Sequence, residues 1–135
     1  MTHNMNLMLT ELSKKLGVSL SLSQGATVFS DHNGHEFWFE SSEGSELIII
    51  HTALKHYSVS NASVADKTKW LLLNSRPDLM KGVWISLHAP TDTVRLNVAA
   101  AVGFVDANIL EIIVHNLVEL AAHVPSYTTS SDMLN

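Results

Sequence analysis

Apolar and polar residues alternate in two short runs between Gly82 and Val102. Val83, Ile85 and Leu87 share one face at period two, and Val94, Leu96, Val98 and Ala100 form a matching row. The stretch therefore predicts two antiparallel strands with a common core face. Pro90, Thr91, Asp92 and Thr93 break the pattern with turn chemistry. Trp84, Ser86, Arg95 and Asn97 fall on the opposite face, a mixed surface of the kind that another element or another subunit completes.

Before this hairpin, Met5, Met8, Leu9, Leu12 and Leu16 form one stripe of a helix that Asn4 caps and Gly17 ends. Val18, Leu20 and Leu22 alternate with serines, a spacing that fits a strand or a loop laid along the surface. Val28 and Phe29 open a strand, and Asp31 to Gly34 spell a tight turn around Asn-Gly. His35 to Ser41 is a second strand; after a turn at Ser42 to Ser45, Glu46 to Leu54 is a third. Leu47, Ile48, Ile49 and Ile50 are apolar on both faces, which predicts a middle strand covered on both sides. Lys55 to Asn61 reads as a polar connection with Tyr57 packed at its base.

A second helix starts at Asn61 or Ser63 and runs through Val64, Thr68, Leu71 and Leu72 to about Ser75, where Arg76-Pro77 stops it. Trp70 and Leu73 widen its apolar surface beyond what one side of a short helix needs, which points to a subunit interface. Asp106 caps a last helix from Ala107 to Val124, ahead of Pro125, and residues 126–135 form a flexible polar tail. The order is helix, three strands, helix, two strands, helix, without a long linker or an internal repeat, so a single domain over residues 1–135 is expected.

Strand two carries the most informative local pattern. Phe37 and Phe39 share one face, Glu36, Trp38 and Glu40 the other. Trp38 either lies over its neighbours or stands as an exposed anchor beside carboxylates, suited to an amphipathic peptide. Asp31, Glu36, Glu40, Glu43 and Glu46 follow one another without an intervening lysine or arginine, so this region is electronegative. A formal net charge of -5 and the lack of any basic run beyond Lys14-Lys15 exclude general nucleic-acid binding. No cysteine is present, which removes thiol and zinc-thiolate chemistry and fits a reducing compartment. Neither a signal peptide nor an uncharged apolar window of about 18 residues is evident, so no membrane insertion is expected.

Catalytic signatures are absent: there is no phosphate-binding glycine loop, no nucleophile elbow and no His-Glu-x-x-His. Glu111, His115 and Glu119 stand four residues apart with His123 continuing the row, but the polar face of an amphipathic helix has the same spacing. His51 or His56 with Glu46 or Asp66 could be drawn as acid-base pairs, as could others in a chain with 8 histidines. No metal, cofactor or catalytic residue is expected.

Leu12-Ser-Lys-Lys-Leu-Gly-Val18, the strand block Val28 to Leu54, Trp70-Leu-Leu-Leu-Asn74, Gly82-Val-Trp-Ile-Ser-Leu87 and the closing helix Asp106 to Val124 together resemble the class I type III secretion chaperones, the Tir-chaperone or CesT-like family. The resemblance spans almost the whole chain. It implies an α+β homodimer in the bacterial cytoplasm, each subunit a twisted antiparallel sheet of about five strands packed with three helices. It also implies a function without bond chemistry: holding the N-terminal segment of a secreted effector extended, soluble and competent for export. On that resemblance Leu16, Val18, Leu20, Leu22, Phe29, Phe37, Trp38 and Phe39 are the effector-binding candidates. Val64, Trp70, Leu71, Leu73 and Trp84 are the dimer-interface candidates. A secretion regulator is a further partner that some members of such a family bind. The rival readings are a regulatory module that sequesters another protein and, last, a small ligand-binding protein or enzyme with a pocket around His51 or His115.

Overall fold

A computed structural model of the chain describes residues 3–18, 26–30, 34–41 and 45–129. In chain order the elements are α1 (His3–Leu16), β1 (Ala26–Ser30), β2 (Glu36–Glu40), β3 (Leu47–Ser58), α2 (Val64–Leu72), α3 (Pro77–Met80), β4 (Trp84–His88), β5 (Thr93–Ala101) and α4 (Ala107–Tyr127). Short 3-10 turns follow α2, β4 and β5. The strands form one antiparallel sheet in the order β1-β2-β3-β5-β4. The α+β class and the element order are those expected, with the short α3 added where Pro77 supplies a first helical residue that needs no N–H partner. The expected hairpin is present with Ile85 opposite Leu96 and Leu87 opposite Val94, but β4 is a terminal strand and β3 and β5 lie inside.

The chain divides into two compact units, residues 1–52 with 99–116 and residues 53–98 with 117–135. In the first unit, Met5, Met8, Leu9 and Leu12 bury the α1 stripe, and Leu16 is left half-buried. The helix begins at His3, so Asn4 lies inside its first turn rather than capping it. Gly17 adopts φ +70, and the Val18 N–H reaches back to the Ser13 carbonyl at 3.1 Å, the bond that closes a helix through a left-handed glycine. Phe37, Phe39, Ile48 and Ile50 are fully buried, and the buried Thr52 hydroxyl donates to the Glu36 carbonyl at 2.8 Å. The full cover expected for β3 holds for one face only. Ile48 and Ile50 are buried, whereas Leu47 is exposed and Ile49 half-buried, because successive side chains of a strand point to opposite sides.

The second unit begins with the rest of β3, which continues to Ser58 through the segment expected to be a connection. Polar residues do not end a strand whose backbone groups find a neighbouring strand; the β2 pairing covers Ile49 to Thr52, and the sheet order places β5 on the other side of β3. Ser63 caps α2: its Oγ accepts from the Asp66 N–H at 3.1 Å, and its own N–H donates to Asp66 Oδ2 at 3.3 Å. Trp70 and Leu73 enter the core with Leu54, Met80, Ile85, Val94 and Leu96, and the Trp70 ring meets Tyr57 edge-on at 5.0 Å. Lys81 and Gly82 both take positive φ and turn α3 into β4. On the opposite face of the hairpin, Arg95 and Asn97 are buried, with Asn97 Nδ2 donating to the Trp84 carbonyl at 3.2 Å and to Ser86 Oγ at 3.0 Å.

Helix α4 is capped by Asp106, whose Oδ1 accepts the Ile109 N–H at 2.9 Å, and it runs past Pro125 to Tyr127. The proline forfeits the bond to the carbonyl four residues earlier. Hydroxyl groups close the last turn instead: Ser126 Oγ donates to the His123 carbonyl and Thr128 Oγ1 to the Pro125 carbonyl. Despite Glu111 and Glu119, α4 reaches a mean hydropathy of 1.2 and is long and apolar enough to cross a membrane by length and composition alone. Its Leu110, Val114, Leu117, Ala121 and Val124 form a buried stripe, and His115, Glu119 and His123 face water, the pattern of an amphipathic core helix.

Asp92 ties the β4–β5 turn to the end of β3. It sits at φ +56, its Oδ2 accepts from the hydroxyls of Ser58 at 2.5 Å and Ser60 at 2.9 Å, and its Oδ1 accepts the Ser60 N–H at 2.6 Å. These bonds, the Ser58 hydroxyl first, hold the carboxyl below its ordinary value of 3.8. A carboxyl whose folded value lies below its unfolded one contributes stability that is complete above pH 3.8 and is lost as the pH falls through the folded value. Replacing Asp92 with Asn should therefore flatten the loss of stability below pH 3.8, followed by urea unfolding with circular dichroism. Asp92→Ala should lower the unfolding midpoint at neutral pH further than Asp92→Asn, because alanine lacks both the acceptor and the tolerance of a left-handed backbone.

Candidate functional site

Register on the sheet defines one surface in the first unit. Trp38 of β2 lies opposite Val28 of β1 on one side and His51 of β3 on the other. Glu40 lies between Ala26 and Ile49, and Ser30 lies opposite Glu36. Residues two apart on a strand share a face, so Val28, Trp38, Ile49 and His51 make an apolar and aromatic band with carboxylates at Glu36 and Glu40. Val28 is 37% exposed, Trp38, Ile49 and His51 are half-buried, and both glutamates are exposed. Phe37 and Phe39 fill the other face and are fully buried.

His51 organises this band. Its ring is nearly parallel to that of Trp38, with centroids 6.4 Å apart at 9°, and its Nε2 lies 3.2 Å from Glu40 Oε1. The two rings are thereby held side by side on this face of the sheet, with Trp38 half-buried. Charge reinforces the picture: the lysines of the first unit are Lys14 and Lys15 at the end of α1, while Glu36, Glu40, Glu46, Asp106 and Glu111 all belong to it. An apolar side chain flanked by basic ones meets both features of the band.

The candidates divide as follows. Phe37 and Phe39 have no exposed surface and are core residues, which removes them as direct contacts. Trp38 stays on the accessible face, and Leu16 and Val18 are half-buried at the end of α1. Leu20, Leu22 and the Phe29 side chain lie outside what the structure describes, although the Phe29 backbone is in register with Phe37. Among the dimer candidates Trp70 and Leu73 are buried within their own unit and are likewise corrected to core. Val64 is 79% exposed, Leu71 and Leu72 are exposed beside it on α2, and Trp84 on β4 is 38% exposed. Of the apolar residues of α2, Val64, Leu71 and Leu72 are thus the outward ones, and Trp70, with Leu73 just after it, the inward ones.

Asn74 escaped the sequence reading. Its Nδ2 donates to the Ile85 carbonyl at 3.0 Å and its Oδ1 accepts the Ile85 N–H at 2.7 Å. One side-chain amide thus takes the place of a neighbouring strand on the outer edge of β4. The signal was present, a lone amide directly after Trp70-Leu-Leu-Leu73, but only the geometry shows which backbone it meets. Val28 and Ile49 were read as strand residues without their faces, because faces need the register.

Other chemistry is sparse. A half-open cleft of about 320 Å³ in the second unit is lined by Tyr57, Ser58, Asn61, Asp66, Lys69 and Trp70 among others, and no histidine lines it. Among the described residues no three His, Asp or Glu side chains come together as metal ligands; Glu111, His115 and Glu119 stay on the helix surface.

Comparison with known proteins adds the following. The family model of the Tir chaperone protein (CesT) family matches residues 8–124. The chain is similar to one in the crystal structure of the ExsC-ExsE complex at 15% identity, with 90% of each chain covered and a TM-score of 0.76. It is similar to one in the HopA1-SchA chaperone-effector complex at 12% identity, with 94% of each chain covered and a TM-score of 0.72. A third likeness, at 17% identity and TM-score 0.66, is to the heterodimeric ExoU-SpcU complex from the type III secretion system of Pseudomonas aeruginosa, over 89% of this chain and 96% of that one. At such identities the likeness is one of fold. No curated protein sequence matches.

The two aromatic faces of β2 give different expectations. Phe39→Ala should cost about 3–5 kcal/mol in urea unfolding, the usual range for emptying a buried phenylalanine site. Trp38→Ala, at a half-buried position, should lower the midpoint less than Phe39→Ala in the same measurement.

Proposed function

The chain belongs to the Tir chaperone protein (CesT) family, and we propose that it captures the N-terminal segment of a type III secreted effector on the band around Trp38 and keeps that segment extended until export. It is a chaperone, not an enzyme. Its work is binding, and the bacterial cytoplasm is where that work is needed. The observation that carries this reading is the open band itself: Val28, Trp38 and Ile49 exposed or half-exposed between Glu36 and Glu40, on a sheet whose opposite face is closed by Phe37 and Phe39.

Physical chemistry favours an extended occupant. A strand laid on a sheet places alternate side chains toward it, so every second residue of the segment can bury apolar surface against the band, at about 25 cal/mol for each Å² removed from water. The intervening residues remain in water, where lysine or arginine can reach the glutamates. Backbone bonding supports β1 as the receiving edge, because Asn74 already occupies the edge of β4 at Ile85. An effector held this way forms no core of its own and stays available for threading.

The second part of the proposal is a homodimer through α2 and β4. Val64, Leu71, Leu72 and Trp84 leave more apolar surface on these adjoining elements than isolated exposed residues would, and a second copy presents the same surface in return.

Co-expression with N-terminal fragments of about 50–100 residues from secreted proteins encoded nearby tests both parts, the length being set by what an extended segment needs to cross the surface. Light scattering should give a dimer that gains one fragment, with the fragment still cut by protease between its contacts. Val64→Asp with Leu71→Asp should give monomers. Failure of every fragment to co-purify with a folded dimer would end the capture reading, and a wild-type monomer would end the dimer.

A further inference from the structure

Three large apolar side chains in and just before α4 remain in water, outside the Trp38 band and the α2 surface. Phe104, the last residue of the 3-10 turn Val102–Phe104, is 87% exposed, and Ile112 of α4 is 58% exposed with Ile109 also exposed. Ile109 and Ile112 are three apart and share one side of the helix, away from the buried Leu110, Val114 and Leu117. Single exposed apolar residues are ordinary, but Ile109 and Ile112 on one side of α4, with Phe104 just before the helix in sequence, make a candidate ridge.

The elements that carry the ridge are acidic. Asp106 caps α4 and Glu111 precedes Ile112 directly. The Glu46 carbonyl accepts the Val102 N–H at 2.8 Å, which brings a third carboxylate-bearing residue to the base of the turn. From Leu96 onward the sequence contains no lysine or arginine, so the ridge has no cation on its own elements. A second copy of this chain would set carboxylates against carboxylates there. A partner with cations beside an apolar row would pair every group.

We propose that this ridge docks a lysine- or arginine-bearing amphipathic helix of a partner protein distinct from the effector segment. A helix is the fitting shape, because side chains three residues apart on one helix make a ridge that enters the groove of another. The site lies on different residues from the Trp38 band, so it can be filled while that band is occupied or empty.

The probe is a synthetic amphipathic helix made of leucine and lysine, with the same helix made of leucine and glutamate as its counterpart. Each is titrated into the full chain carrying labelled isoleucine methyl groups. The leucine-lysine helix should bind saturably, shift the Ile109 and Ile112 methyl signals before that of Ile49, and weaken as salt is raised. Phe104→Ser combined with Ile112→Ser should keep the circular dichroism spectrum, since both side chains are exposed, and lose about tenfold or more in affinity. Equal binding of the leucine-glutamate helix, shifts centred on Ile49, or the absence of binding would overturn the proposal. So would a fall in the chain's own assembly mass in the double variant, which would assign the ridge to a second copy.

Discussion

Alternation along β2 is the constraint on which the proposed binding surface depends. Because successive side chains of a strand must point to opposite sides, burial of Phe37 and Phe39 forces Trp38 outward, with Glu36 and Glu40 beside it. The core and the binding band are two consequences of one backbone conformation. Register then extends both: Ile50 and Thr52 join the phenylalanines, and His51 and Val28 join the tryptophan. A one-residue slip would exchange the two sets and place carboxylates in the core, so packing energy enforces the composition of the outer band.

Much of this was legible in the sequence for a simple reason. Period-two alternation states which residues share a side, and Glu36 to Glu40 and the two runs on either side of the turn at Pro90 to Thr93 display it. Two cap residues were equally direct, Asp106 and Ser63, the latter one of two starts the sequence offered for α2, whereas Asn4 proved to lie inside its helix. What the pattern withholds is which side is inside. On α2 the apolar residues surround most of the helix, and only the structure assigns Trp70 and Leu73 to the core and Val64, Leu71 and Leu72 to water. Phe37 and Phe39 were ambiguous as contacts for the same reason. Cross-strand neighbours such as Val28, Trp38 and His51 are distant in sequence, and no local rule joins them.

Distribution of charge divides the labour between surfaces. The carboxylates of Glu36, Glu40, Glu46, Asp106 and Glu111 belong to the first unit, whereas Lys67, Lys69, Arg76 and Lys81 belong to the second. The exposed apolar residues of α2 therefore have a mixed border, Lys67 and Lys69 beside Asp66, whereas carboxylates predominate in the unit of the sheet face. Surfaces of similar oiliness are made distinct by their borders, and like-charged borders keep one from substituting for another.

Asn74 has a bearing on how growth of a sheet is stopped. A protein that accepts an added strand runs the hazard that strands of neighbouring copies add to one another, end to end, into a fibre. Such propagation needs two compatible edges on every copy. With the amide of Asn74 bonded to both backbone groups of Ile85, the β4 edge offers a neighbouring sheet an interrupted template. If a segment adds to β1 as proposed, a further copy would meet at β4 an edge already bonded at Ile85, so a single side chain works against propagation.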